Sequence, residues 1–459
     1  MSSPIRSLVL LGASGDLAGR LLLPALGQLL DAEPERRDLV LLGAGAEDWD
    51  EATWKERVRS SFESGKVSTE TTEAVLASTR YEKADVTSPD DLDRLIKGAP
   101  AAPALYFALP PAVTARACAV LNSVSLPEGT TLVLEKPFGT DQASAAALNL
   151  QLAHLVPESQ VHRVDHFLGR STVLNLLGVR FANRLFEPVW NADHIERVDI
   201  VFDEQLTLEN RARYYDSAGA LMDMIQSHLL QILALVAMNP VAAVDEVELR
   251  EAKAEVLRAT RLWGDDPVAA GRRARYTAGS VDGRDVPDYV AEPGVDPARG
   301  TETLAELTVE VANARWAGVP FRLRSGKALR DLRKEVVITF RGLRHLPTGL
   351  SGNAEPDRLR LSMSPDMMAL EMNVNGPDDP LVLDRVSLDT VLTPGRLPAY
   401  GEVLAGVLDA DPLLAVRGDT AEQCWRVVDP VLQAWREDKV PIEEYAAGST
   451  GPQSWDPPA

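Results

Sequence analysis

The opening strand–glycine–helix passage constrains the fold most. Ser7–Leu11 is a mostly apolar run that stops at Gly12, and a helix-like pattern follows from Leu17 through Leu30. A second apolar run, Leu39–Leu42, ends at Gly43. Short apolar runs that end in glycine turns and flank a helical pattern form a βαβ unit, the seed of a parallel sheet buried on both faces. Between strand and helix lies Gly12-Ala13-Ser14-Gly15-Asp16-Leu17-Ala18. Small residues there let backbone N–H groups reach a pyrophosphate, and a helix N-terminus adds a favourable dipole. The same residues also suit a tight turn that binds nothing.

Further apolar runs stop at turn residues, Ala104–Leu109 before Pro110-Pro111 and Thr131–Leu134 before Glu135-Lys136-Pro137. The first third therefore reads as a doubly wound parallel sheet. Beyond about residue 165 the texture changes. Val198–Phe202, Leu304–Val311, Val336–Phe340, Leu359–Met363 and Leu370–Val374 look like strands without long helices between them, and Leu221–Met238 is an apolar helical segment. The expected architecture is an α/β Rossmann-type dinucleotide-binding domain over 1–165. An α+β domain over 166–459 follows, built on a large, mostly antiparallel sheet with helices on one face. A chain of 459 residues is too long for one ordinary core, which agrees with two domains. Gly448–Ala459 forms a polar, proline-containing tail.

The formal net charge of −21 repels nucleic acid and anionic membrane, so a phosphorylated ligand needs a local basic pocket. Met1–Leu11 has one Arg and runs straight into the glycine loop, which fits a first buried strand better than a signal peptide, and no stretch is expected to reach transmembrane length. Cys118 and Cys424 lack partner spacing for metal or redox work and read as small buried hydrophobes in a reducing, cytoplasmic compartment. Acids and histidines show no metal-ligand spacing, so no metal is expected.

His162-Arg163-Val164-Asp165-His166-Phe167-Leu168-Gly169-Arg170 packs two histidines, two arginines and an acid into nine residues of a chain that has six His in all. This segment resembles the signature of the glucose-6-phosphate dehydrogenase family, Arg-Ile-Asp-His-Tyr-Leu-Gly-Lys. The resemblance extends to Gly12–Ala18, Leu105–Pro111 and Glu135–Gly139. It continues through Asn183–Trp190, Tyr214-Tyr215-Asp216, Gln226–Gln231, Trp316–Phe321, Ser325-Gly326-Lys327 and Gly448–Pro452. Nearly the whole chain is covered, in order.

The resemblance implies oxidation of glucose 6-phosphate at C1 to 6-phosphogluconolactone, the first step of the pentose phosphate pathway, by a homodimer or homotetramer whose broad sheet forms the interface. His228 matches the base that takes the C1 hydroxyl proton, a task that suits a neutral imidazole near pH 7. Asp165 matches the carboxylate that orients it and steadies the imidazolium. His166 and Arg170 match the sugar-phosphate site, Lys136 and Lys327 the sugar oxygens and charge, and Glu204 and Asp223 the hydroxyl acceptors. Lys136 precedes Pro137, a rigid joint expected to adjust the gap between domains. Cofactor contacts are implied at Gly12, Ala13, Ser14, Gly15, Asp16, Leu17, Ala46, Glu47, Asp85, Val86, Leu109, Pro110 and Lys136. Any one of these polar residues alone would pass for a surface ion pair or a satisfied core group.

Four departures from the family pattern bear on substrate and cofactor. Phe167 replaces a Tyr, Arg170 replaces a Lys, Gly19 stands where a Lys usually follows Asp-Leu-Ala, and Ala46 occupies the place of an Arg that holds a 2′-phosphate. The first and third weaken an anion site; the second can restore it through a bidentate fork. Gly43-Ala44-Gly45-Ala46-Glu47-Asp48 contains two acids and no base, which predicts NAD over NADP. Two other functions stay open: a dehydrogenase of the same fold acting on another hexose, and a cofactor-binding paralogue without turnover.

Overall fold

Leu8 to Leu11 are each almost wholly buried, as the central strand of a parallel sheet must be. In the computed structural model, which describes residues 5–209 and 212–455, this strand, β1 (Ser7–Leu11), pairs in parallel with β2 (Val40–Gly45) on one side and β4 (Ala104–Phe107) on the other. The first four residues of the opening run and the last four of the polar tail lie outside the described residues. With β3 (Arg80–Lys83), β5 (Thr131–Glu135) and β6 (Val161–Val164) the sheet has the order β3-β2-β1-β4-β5-β6, parallel throughout. In this doubly wound order the sequence reverses direction between β1 and β4. A crevice opens there at the carboxyl ends of the strands.

The chain folds into two compact units, and neither is continuous in sequence. The first comprises residues 1–171, 241–254 and 395–423. Its core gathers Leu22, Leu26 and Leu29 from the helix behind the glycine loop, Trp54, Val58 and Phe62 from Glu51–Ser64, and Leu404, Val407 and Leu408 from the returning helix Ala399–Leu408. Arg36 binds Asp409 at 2.8 Å, and Arg250 binds Glu158 at 3.0 Å, so both late segments are also tied in by charge.

The second unit comprises residues 172–240, 255–394 and 424–459. Its strands are β7 (Ile195–Asp203), β8 (Thr260–Leu262), β9 (Gly271–Thr277), the hairpin β10 (Gly279–Val281) and β11 (Arg284–Val286), β12 (Leu304–Val311), β13 (Pro320–Gly326), β14 (Arg333–Phe340), β15 (Arg358–Met363), β16 (Asp366–Asn375), β17 (Leu383–Val391) and β18 (Ile442–Ala446). The large sheet runs β17-β16-β15-β14-β7-β13-β12-β9-β18, with β8 also on β12. It is mostly antiparallel, with β7–β13 and β9–β18 as parallel pairs.

Contrary to the hydropathy expectation, Ala212–Ala237 is long and apolar enough to cross a membrane by length and composition. Its most apolar window is nevertheless 83% buried within the unit, where it packs against β12 and β13 as a core helix. The expectation failed because two helical stretches meet end to end at Gly219, whose φ of 67° and ψ of 176° interrupt helical geometry.

Candidate functional site

In the first unit the glycine loop leaves β1 and crosses close over the end of β4. Gly12 has φ +87°, and a Cβ built on it would lie 2.4 Å from the Ala108 carbonyl oxygen. Only glycine fits that crossing. The Gly12 and Ala13 N–H groups donate to the Ala44 carbonyl at 2.8 and 3.0 Å, which pins the loop to β2.

A cleft of about 490 Å³ opens beside the loop. Of the residues with expected cofactor roles, Gly12, Ser14, Gly15, Ala46, Glu47, Asp85, Val86, Leu109 and Pro110 line it; Ala13, Asp16, Leu17 and Lys136 do not. Ala13 is fully buried behind the loop. At the end of β2 the Ser14 hydroxyl donates to Glu47 Oε2 at 2.6 Å, and the Tyr81 hydroxyl donates to the Glu47 carbonyl at 3.0 Å. Hydrogen bonds from Thr87 hold the Asp85 carboxyl below the usual carboxylate range. The volume, the close glycine crossing and the acceptors fit a dinucleotide, with Glu47 placed at the strand end where a ribose hydroxyl is recognised.

Two cations here escaped sequence reasoning. Arg116 is the single Lys or Arg among the lining residues, carried by Pro111–Leu121 one turn past Pro110-Pro111, a position that the motif could have flagged. Arg57 donates to the Gly15 carbonyl at 3.0 Å, and its guanidinium carbon sits 2.2 Å from where a Gly19 Cβ would be. The missing lysine at position 19 thus leaves room for an arginine from Glu51–Ser64, which no local pattern announces.

The acid–histidine segment splits in two. His162 and Arg163 belong to β6 and are structural: burial, with the Arg250 charge added, pushes His162 down to about 3, and fully buried Arg163 binds Glu158 at 2.8 Å. After Asp165 the strand gives way to the turn His166–Gly169, and Asp165 Oδ1 accepts from the Phe167 N–H at 3.0 Å. The His166 ring stacks on Tyr400, centroids 5.1 Å apart at 12°, and the Arg170 guanidinium lies over the Phe167 ring at 5.0 Å. Two of the departures from the family pattern therefore form a pair, since a planar fork stacks on an aromatic face where an ammonium makes only a point contact. Next to Lys136, Glu135 accepts from the Tyr106 hydroxyl at 2.5 Å. Burial pushes its carboxyl up to about 7, against that hydrogen bond and the Lys136 charge.

In the second unit, Glu204 follows β7 and Lys327 follows β13, adjacent parallel strands whose ends bring them together. Lys327 Nζ binds Glu204 Oε2 at 2.8 Å and Lys334 Nζ binds Oε1 at 2.9 Å. Burial raises the Glu204 carboxyl, but the two ammoniums outweigh it and hold the group below the usual range. Lys334 carried no signal in sequence, and Tyr214, whose hydroxyl donates to Asp223 at 3.1 Å, lies in a segment of the family resemblance but was given no role. Asp223 and His228 share the turns Leu221–Leu229, and His228 is only 1% exposed.

Family models match the chain from end to end. The model described as glucose-6-phosphate dehydrogenase, NAD binding domain, covers residues 9–175, and the one described as its C-terminal domain covers 177–457. The chain belongs to the glucose-6-phosphate dehydrogenase family.

Among relatives of this family, glucose-6-phosphate 1-dehydrogenase of Gluconobacter oxydans is 39% identical over 97% of this chain and 94% of its own length. The Bacillus subtilis enzyme of the same name is 32% identical over 99% and 96%. The crystal structure of glucose-6-phosphate 1-dehydrogenase from Mycobacterium avium superposes with a TM-score of 0.86 at 32% identity, covering 100% of this chain and 99% of that one. A glucose-6-phosphate dehydrogenase in complex with its substrate glucose 6-phosphate gives 0.88 at 27% identity, covering 99% and 97%. The parallel nucleotide sheet and the large mixed sheet are thus those of the family.

Proposed function

We propose that the chain is a glucose-6-phosphate 1-dehydrogenase, oxidising D-glucose 6-phosphate at C1 to the lactone with NAD preferred over NADP. The observation that carries this is full-length family membership together with retention of His228, Asp165, His166, Lys136, Lys327, Glu204 and Asp223, with Arg170 standing for a lysine. The nicotinamide, when bound, supplies the hydride acceptor. His228 is the base for the C1 hydroxyl proton and Asp165 the carboxylate that favours its imidazolium form. That both are retained argues against a paralogue without turnover. His166 and Arg170 take the phosphate, Lys136 and Lys327 the sugar oxygens, and Glu204 and Asp223 the hydroxyl hydrogens.

Glu47 supports the preference for NAD: its carboxylate is hydrogen-bonded to the glycine loop, and Ala46 offers no cation to a 2′-phosphate. A cytoplasmic homodimer is the accompanying reading. Its support is the edge strand β17, which exposes Leu388 at 59% and Val391 at 78% beside unpaired backbone groups. The deciding assay is a panel of hexoses and hexose phosphates with NAD and with NADP. The expected outcome is highest kcat/KM for glucose 6-phosphate with NAD, and faster turnover of an unphosphorylated sugar overturns the substrate assignment.

A further inference from the structure

The helix that carries Asp223 and His228 begins in the middle of the second unit, not at a loop. Gly219 occupies a backbone region, positive φ with fully extended ψ, that is open to glycine almost alone, and it breaks the helix from Ala212 into two. The second half thus has its own N-terminus inside the core, with N–H groups that need acceptors. None of Gly219, Ala220 or Leu221 has a side chain able to cap it.

The acceptor comes from 81 residues further along. Glu302 is buried, and its Oε1 accepts from the Leu221 N–H at 2.9 Å. A Cβ at Gly219 would fall 2.3 Å from that same oxygen, so the glycine break and the carboxylate fit only together. The neighbours of Glu302 serve the same place. The Thr301 hydroxyl donates to the Asp216 carbonyl at 2.7 Å, and the Thr303 carbonyl accepts from the Lys327 N–H at 2.9 Å. Three consecutive residues at the head of β12 therefore hold the first half-helix, the start of the second and the backbone of Lys327.

We propose that Glu302 is a positioning residue for the reaction: capping the helix broken at Gly219, it sets the placement of His228 and Asp223 against Lys327 and Glu204. This rests on the assignment of His228 as the base. A charged cap on a buried helix N-terminus gains from the dipole as well as from the hydrogen bond. Arg273, Tyr215 and Tyr289 are the charged and titratable groups that face Glu302; burial outweighs the backbone donors and Arg273 and pushes the carboxyl up to about 7.

The test uses Glu302→Gln, which keeps an acceptor of the same reach, and Glu302→Asp, which keeps the charge but is one methylene short. Expected are a kcat at least 10-fold lower in Glu302→Asp, a smaller loss in Glu302→Gln, and an unchanged KM for NAD in both. The His228 imidazole resonance should move in both variants while those of His154 and His345 stay. Folded variants with kcat within twofold of wild type and an unmoved His228 resonance overturn the proposal. If the wild-type chain turns over no sugar phosphate, the functional assignment fails and the His228 resonance alone decides the positioning role. Should neither variant fold, amide exchange in the wild-type protein decides: the Leu221 N–H must be as protected as the hydrogen-bonded amides of β12, and fast exchange at Leu221 overturns the proposal.

Discussion

Gly12→Ala should damage cofactor binding far more than it damages the fold. The added methyl would sit 2.4 Å from the Ala108 carbonyl oxygen, roughly 1 Å inside ordinary contact, and the obstacle is backbone at the end of β4 that cannot swing aside. A left-handed φ of 87° costs an L-residue about 1–2 kcal/mol, and loosening one of the hydrogen bonds to Ala44 adds about 1 kcal/mol. The total of about 2–3 kcal/mol lowers Tm by roughly 4–12 °C in a unit of this size. The loop must meanwhile move by about 1 Å, a misplacement that costs on the order of 100-fold where donors are preorganised. Steady-state kinetics with NAD varied should show KM up by about that factor, with KM for the sugar phosphate nearly unchanged. A variant with wild-type KM for NAD and wild-type Tm would refute the assignment of this crossing as the cofactor cradle.

Glu135→Gln should become more stable than wild type as pH rises. The folded carboxyl titrates at about 7 against an ordinary 4.5, so its contribution is fully present below about 4.5 and lost as pH climbs through 7. That loss, about 3 kcal/mol at most, is absent from the amide, and parallel urea melts at pH 4.5 and 8 with equal differences would contradict it. Replacing Arg170 by Ala should raise KM for glucose 6-phosphate well above 10-fold while leaving free glucose almost untouched; equal effects on both sugars would remove its phosphate role. Combining Ala46→Arg with Glu47→Gln should weaken NAD about 10-fold and strengthen NADP by at least as much, since hydrogen bonds to a charged group contribute about 1.5–3 kcal/mol, and an unchanged cofactor ratio would show that Glu47 does not face the ribose.

Where backbone and local pattern agree, the elements were legible in sequence. β1 and β12 begin and end at the residues their apolar runs marked, because both are central strands with burial on both faces or clean alternation. The glycine loop was legible for a similar reason: its geometry excludes other residue types. β6 was not, because His162 and Arg163 looked like site chemistry. Their burial and the pairing of Arg163 with Glu158 follow from the return of residues 395–423 against that strand, as in the hydrogen bond from Val416 N–H to the Arg163 carbonyl. The large sheet read as mostly antiparallel, as it is, but its parallel pairs could not be placed, since no local signal tells β7 that its neighbour on one side will be β13, more than a hundred residues later and parallel. Candidate residues on motifs can be named from sequence, whereas partners supplied by distant segments, such as Tyr400 under His166 and Lys334 beside Glu204, leave no mark near the residues they serve.

The discontinuity of the first unit has a consequence for biosynthesis. Leu397, Val403, Leu404, Val407 and Leu408 fill the same core as Leu22, Leu26 and Leu29. A ribosome therefore releases the complete nucleotide sheet long before it releases the helix that seals it. While the intervening residues 172–394 are made, the leading segment waits with an apolar flank in water, in the state that chaperones bind and aggregation exploits. A gene fragment cut just after the turn that follows β6, although it encodes all six parallel strands, would yield that waiting state as its final product.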